Sequence, residues 1–367
     1  MKITRISLWH RSLKSHTAYH MADGKTCDEV TSVMMRIDTD AGLSGWGEVC
    51  PIPHYLPAYA EGVAPAIDYL MPVLRGADAG HPEAVMAACH HYLQGHPYVK
   101  SIIDIALHDL AAKAANMPLY RYLGGDYGAS LPLYHSITCI DPDEMAKIAR
   151  DEYAAGMRQF QVKLGADKNN EADIARLTLV REAVGDGPLV YGDWNCGATS
   201  LDATRVARAI SHLDIMLEQP CATITECAHV RSATGLAMKL DENVFDIASL
   251  LSGHEAGCMD AAALKLSKFG GVSAMRQARD LCVSLGVKMC IEDTWGSDIT
   301  TSAALHIGAS TKPQFVMNVC DLSSYVSPKL DTNLPTRHKG TIAAPDGIGL
   351  GVVPDEDLLG AADIILS

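Results

Sequence analysis

No stretch of this sequence approaches the roughly 18 consecutive apolar residues that a membrane-spanning helix requires. The opening Met1-Lys2-Ile3-Thr4-Arg5 lacks the apolar core of a signal peptide. A cytoplasmic protein with no membrane partner is therefore expected. Positive charge is also in short supply: 30 Lys plus Arg stand against 44 Asp plus Glu, a formal charge of −14 that disfavours nucleic acid as a partner. None of the 11 cysteines is spaced as Cys-x-x-Cys, which argues against a zinc site, and the odd count fits buried, reduced thiols better than a disulfide framework. A glycine-rich phosphate turn is missing as well. The triplet Gly347, Gly349, Gly351 has the wrong spacing for a dinucleotide site and no helical pattern after it.

What is present is a chain of 367 residues, 48% hydrophobic and 20% charged, long enough for a large core and two domains. Residues 1–125 read as an α+β domain. Strand patterns at 2–13, 32–39 and 43–49 come first, the last two joined by the turn cluster Asp38-Thr39-Asp40-Ala41-Gly42. Helical periodicity follows at 57–76, 81–95 and 99–116, and Leu123-Gly124-Gly125 supplies a stop. From about 130 onward, eight short apolar runs alternate with amphipathic segments: 130–138, 158–165, 188–195, 214–220, 235–242, 262–268, 287–296 and 315–321. Such a series at this spacing predicts an α/β fold, a (β/α)8 TIM-type barrel over 126–345 with an N-terminal α+β capping domain. Residues 346–367 are expected to pack back on the cap.

Barrel chemistry sits at the C-terminal ends of the strands. Those ends carry Lys163, Asp193, Glu218, Asp241 and Lys265, at intervals of 30, 25, 23 and 24 residues, one βα unit apart each time. Glu292-Asp293 and Asp321 close the last two runs. Three carboxylates on adjacent strands would repel one another unless a cation lies among them. Their oxygen-only chemistry favours Mg2+, with Mn2+ a substitute, over zinc. The two lysines lie on strands two and six, opposite each other in a ring of eight. Such a pair can remove a proton α to a carboxylate. Two outcomes follow: return of the proton to the other face, as in a racemase or epimerase, or loss of a β-leaving group, as in a dehydratase.

These residues resemble the mandelate racemase and muconate lactonizing enzyme family of the enolase superfamily, over nearly the whole chain. The resemblance rests on Gly45-Trp46-Gly47-Glu48, the helix Val99 to Leu110, Leu123-Gly124-Gly125, Lys163, Asp193, Glu218-Gln219-Pro220, Asp241-Glu242, Lys265 and Gly349-Leu350-Gly351. It implies Asp193, Glu218 and Asp241 as Mg2+ ligands, Lys163 and Lys265 as the acid/base pair, and a homo-oligomer. It also implies that cap loops near 15–26 and 50–59 select the substrate. A lysine on strand six, with no histidine ending strand seven, is similar to the muconate lactonizing subgroup. One departure stands out: family members commonly carry Lys-x-Lys on strand two, where this chain has Gln161-Val162-Lys163. Glutamine can still donate a hydrogen bond, but it brings no charge.

Cys50-Pro51, the segment Gly95 to Lys100, and Glu292-Asp293-Thr294-Trp295-Gly296 are similar to members acting on proline derivatives, cis-3-hydroxy-L-proline dehydratases and hydroxyproline betaine epimerases among them. Acids at Asp293 and Asp321 suit a protonated imino nitrogen, unless they are spent on loop amides. Gln161, Tyr55 and Trp295 complete the expected substrate contacts, with Tyr59 as a further candidate. The expected activity is dehydration of cis-3-hydroxy-L-proline, with 2-epimerisation of proline, a hydroxyproline or a proline betaine as the alternative. A barrel that binds an acidic metabolite without turning it over is the reading from another class.

Overall fold

Strands β1 (Ile3–His20), β2 (Thr26–Thr39) and β3 (Ser44–Val49) form an antiparallel meander in a computed structural model that describes residues 1–128, 130–331 and 334–367. Period-two alternation sorts their side chains onto two faces. Val33, Met35 and Ile37 enter the core of the cap, while Met34 joins Trp9 and Trp46 in the core shared with the barrel. The turn after β2 closes with Thr39 N–H donating to Leu43 O at 3.1 Å, and Gly42 takes the positive φ of 74° that the reversal needs.

Helices α1 (Val63–Leu74), α2 (Pro82–Tyr92) and α3 (Pro97–Ala114) cover that sheet. The Gly-Trp-Gly pattern explains how closely α3 lies on β3. A Cβ at Gly45 would sit 2.3 Å from Ala106 O, and one at Gly47 would sit 2.0 Å from Ile102 O. Glycine is required there for contact between backbones, and Trp46 between them points to the opposite face.

The capping segment departs from expectation at residues 15–26. Instead of a loop, β1 continues to His20 and β2 begins at Thr26, with a register irregularity between Lys14 and Tyr19. Lys14 to Thr17 is polar and mostly outside the core, so no apolar alternation announces this ribbon. Its tip is pinned to the barrel: Cys139 N–H donates to His20 O at 3.1 Å, and His20 N–H donates to Thr138 Oγ1 at 2.6 Å.

After β4 (Leu131–Pro132), eight parallel strands follow in sequence order: β5 (His135–Ile137), β6 (Gln159–Lys163), β7 (Leu189–Asp193), β8 (Met216–Glu218), β9 (Met238–Leu240), β10 (Ala261–Lys265), β11 (Lys288–Glu292) and β12 (Val316–Val319). Each falls within or beside a predicted apolar run. A parallel bridge between Leu133 and Val319 brings the two edges of the sheet together and closes the barrel. The sixth run ends sooner than expected, because Leu266–Phe269 forms a short helix that turns at Gly270 and Gly271, φ 94° and 114°.

Beyond the barrel, β13 (Val326–Ser327) adds to β1, β14 (Thr341–Ile342) pairs with β4, and β15 (Ile364–Leu366) pairs antiparallel with β1, Ile6 opposite Leu366. Buried carboxylates hold cap to barrel. Glu48 accepts from Ser297 N–H (2.8 Å), Ser297 Oγ (2.8 Å) and Thr300 N–H (2.9 Å), capping the helix Asp298–Ala309 from across the domain boundary. Asp104 does the same for Ser273 in the helix Val272–Leu285. Among the described residues, no helix is long and apolar enough to cross a membrane.

Candidate active site

Parallel register carries the sequence interval into space. Lys163, Asp193 and Glu218 stand side by side at the ends of β6, β7 and β8, Asp241 follows the end of β9, and Lys265 ends β10 opposite Glu292. All five are buried, the three acids at 0 to 1% exposure and the lysines at 7%. Burying so many charges is tolerable only if they answer one another.

They do so in pairs. Lys163 Nζ lies 2.5 Å from Asp193 Oδ2 and donates to Asn195 Oδ1 at 3.1 Å. Lys265 Nζ donates to Asp241 Oδ2 at 2.8 Å. Two further lysines, which sequence reasoning passed over, complete the pattern. Lys268, on the short helix after β10, donates to Asp241 Oδ1 at 2.6 Å, and Lys239, inside β9, sits 2.8 Å from Glu218 Oε1 and 4.3 Å from the centroid of the Tyr191 ring. Among the described residues, no three acidic, histidine or cysteine side chains are gathered so as to hold a metal ion as they stand. The acids stand at one rim, as expected, each held in an ion pair with a lysine.

The electrostatics follow from burial first. Desolvation, with Asp193 and Asp241 nearby, pushes Glu218 up to about 8. Glu242, beside the same acids, is raised to about 7, again chiefly by burial. Burial also opposes ionisation of Asp241, yet the Lys265 and Lys268 ammonium groups outweigh it and hold that carboxyl well below its usual range. The lysines mirror this: burial alone would lower Lys163 and Lys265, but Asp193 and Asp241 respectively hold both above the ordinary lysine value.

Gln161 stands where the charge is missing from the Lys-x-Lys pattern. Its Nε2 donates to Glu218 Oε2 at 2.7 Å and to Asp193 Oδ2 at 3.0 Å, while its carbonyl accepts from the Ser136 hydroxyl. One neutral amide therefore bridges two of the acids.

Below the cap, Lys163 and Lys265 line a chamber of about 70 Å3, closed by Met21 and Ile52 from the cap and Leu322 from beyond β12. At roughly 10 to 15 Å3 for each water, that is space for about five to seven water-sized groups, the scale of a small metabolite. Tyr55, Trp295, Asp293 and Gln161 all reach this wall. Two expected substrate contacts are otherwise engaged. Asp293 accepts from Ser267 N–H, Ser267 Oγ and Thr294 N–H, so it binds loop groups, and burial raises it to about 6. Asp321 is paired with Arg337 at 2.9 and 3.1 Å and lines a neighbouring cavity instead. The distant Arg337 was not legible as its partner. Tyr59 is 53% exposed and does not line the chamber.

The chain is similar to known proteins along nearly its whole length. Residues 4–124 match the mandelate racemase / muconate lactonizing enzyme N-terminal domain, and residues 144–358 match the enolase C-terminal domain-like family. Over 365 residues, 98% of each chain, it is 39% identical to a cis-3-hydroxy-L-proline dehydratase of Roseibium aggregatum. It is 28% identical to an N-succinyl-L-Arg/Lys racemase of Bacillus cereus across 85% of each. A solved member of the enolase superfamily from Roseovarius nubinhibens ISM, complexed with magnesium, superposes with a TM-score of 0.94 at 32% identity, covering 100% of this chain and 99% of that one. With both domain families matched in order along one chain, this protein belongs to the mandelate racemase / muconate lactonizing enzyme family and is an enolase-superfamily enzyme.

Proposed function

We propose that this enzyme removes the proton α to the carboxylate of cis-3-hydroxy-L-proline and eliminates its hydroxyl as water. One observation carries the reading. Lys163 and Lys265, from strands four apart in a ring of eight, line the same small chamber. In this substrate the carboxylate and hydroxyl are cis, so the α-hydrogen and the hydroxyl lie on opposite faces of the ring. A base on one side and an acid on the other suit that anti elimination. Lys265 takes the α-proton as a neutral amine, the released electron pair forms the C2–C3 double bond, and the C3–O bond breaks. The departing oxygen takes a proton from the Lys163 ammonium and leaves as water. The Roseibium relative, named for this reaction, supports the same substrate.

Asp193, Glu218 and Asp241 form an all-oxygen donor set suited to Mg2+, and Mn2+ shares that preference. All three acids are buried and each is answered here by lysine ammonium groups, Asp193 by Lys163, Glu218 by Lys239 and Asp241 by Lys265 and Lys268, so the site is built to hold positive charge against them. Held there, the ion would supply positive charge opposite the carboxylate that gains electron density when the proton leaves, and would draw the acids away from the lysines whose protonation they now favour. Gln161 then positions Asp193 and Glu218 from the side, and the buried walls exclude water.

Epimerisation at the α-carbon is the second reading, favoured by the same opposed lysines. Mass spectrometry of the product separates the two: dehydration removes one water, whereas epimerisation leaves the mass unchanged.

A further inference from the structure

The catalytic chamber contains two hydrogen-bond donors with nothing to bond to. Tyr19, from the cap ribbon, and Trp295, from the segment after β11, meet edge to face with ring centroids 5.6 Å apart. Both are buried, at 7% and 9% exposure, and both line the chamber. The Tyr19 hydroxyl and the Trp295 indole N–H have no partner.

Their isolation is specific. Among the described residues of the wall, Tyr55 is bonded to Asp241 and Lys265, Tyr134 to Glu292, Tyr325 to the Ser136 amide, and Asp293 to Ser267 and Thr294. The Ser136 hydroxyl, beside Tyr19, gives its one proton to Gln161. Around the two donors the packing is apolar, with Leu13, Met21, Val30, Ile52 and Val326 in one cluster. A buried donor left unmet costs about 1 to 3 kcal/mol, so two in one cluster imply a partner supplied from outside the chain. Burial also keeps the Tyr19 phenol above its usual value and hence a neutral donor.

Position in the ring narrows what that partner is. The acids stand on strands three to five; Tyr19 and Trp295 lie by strands seven, eight and one, across from them. A substrate whose carboxylate is held on the acid side directs its ring toward the two donors. A protonated imino nitrogen is itself a donor and cannot accept from either. The ring group that can accept is a hydroxyl oxygen.

Resting on the function proposed above, we propose that Tyr19 and Trp295 are specificity-determining residues that donate hydrogen bonds to the ring hydroxyl of the substrate, so that the enzyme distinguishes hydroxylated imino acids from proline. The test compares wild type with Tyr19→Phe and Trp295→Phe, using kcat/KM for dehydration of cis-3-hydroxy-L-proline and the inhibition constant of L-proline, which has the same carboxylate and nitrogen but no hydroxyl. Each variant is expected to lose about three- to tenfold in kcat/KM, the loss of one neutral hydrogen bond, while L-proline inhibition changes less than about twofold. Tyr19→Phe removes only the hydroxyl, so it keeps the test clear of folding defects in the larger Trp295 change. Equal losses for both ligands, or no loss for either, would overturn the assignment while leaving the dehydratase reading intact. A wild-type enzyme that does not dehydrate cis-3-hydroxy-L-proline would instead overturn the function, and this inference with it.

Discussion

Tyr55 joins the cap to the base that the proposed reaction uses: its hydroxyl accepts from Lys265 Nζ at 2.6 Å and donates to Asp241 Oδ2 at 2.5 Å, and its ring centroid lies 4.6 Å from the same ammonium. The cap therefore contributes to orienting the reacting nitrogen as well as roofing the chamber. Tyr55→Phe keeps the ring and removes the hydroxyl, leaving Lys265 with one fewer anchor. Bonds to charged groups are worth about 1.5 to 3 kcal/mol, so kcat is expected to fall about 10- to 100-fold with little change in unfolding temperature. Steady-state kinetics beside a thermal melt reads both.

Divalent cation should bind to the three acids and stabilise the fold. At a Mg2+ concentration a hundred times its Kd the gain is about 2.7 kcal/mol, seen as a rise in melting temperature. Asp193→Asn, which removes one charge, should reduce that rise, and chelation with EDTA should abolish turnover until Mg2+ is restored. A melting temperature indifferent to Mg2+ in the wild type would contradict the ligand set.

Stability should decline in mild acid because of His306, which is 0% exposed. Its Nδ1 accepts from Tyr120 N–H at 3.2 Å and its Nε2 donates to Leu350 O at 2.9 Å, so a second proton would set N–H against N–H. Burial lowers it to about 4. A depressed base is neutral in the native state, while the unfolded chain takes up the proton below about 6.5. The stabilisation is thus complete above that pH and is lost as pH falls toward 4. Between pH 7 and pH 5 the loss is about 2 kcal/mol. Urea unfolding at the two pH values should show His306→Gln losing less than wild type.

Gly47→Ala tests the close approach of β3 to α3. With the Ile102 carbonyl 2.0 Å from the added carbon, backbone must move, and a cost of about 1 to 3 kcal/mol or more is expected in chemical denaturation. An unchanged midpoint would mean that α3 has room to shift.

Much of this architecture is visible in the sequence because barrels repeat: seven of the eight apolar runs end in a charge, and the interval alone brings Lys163, Asp193, Glu218, Asp241 and Lys265 to one rim. What the sequence hides are partners far apart along the chain. Arg337 takes Asp321, and Ser267 takes Asp293, through contacts that no local pattern encodes. Lys268 lies three residues after Lys265, one helical turn on, because the chain leaves the strand at Lys265 for the short helix Leu266–Phe269. Lys239 is harder still. It sits within an apolar strand run and is buried only because Glu218 and the Tyr191 ring receive it. The ribbon bearing Tyr19 is held by backbone pairing and by the barrel's Thr138 and Cys139, so its polar sequence resembles a loop.

The central claim is that Lys265 removes the α-proton of cis-3-hydroxy-L-proline. The most direct measurement is a proton NMR time course in D2O with Mg2+, following the α-proton and the ring hydroxyl's carbon for wild type and Lys265→Ala. The account predicts that wild type eliminates the hydroxyl and that Lys265→Ala is slower by about 100-fold or more, the range for loss of a general base. Equal rates for the two proteins would contradict it.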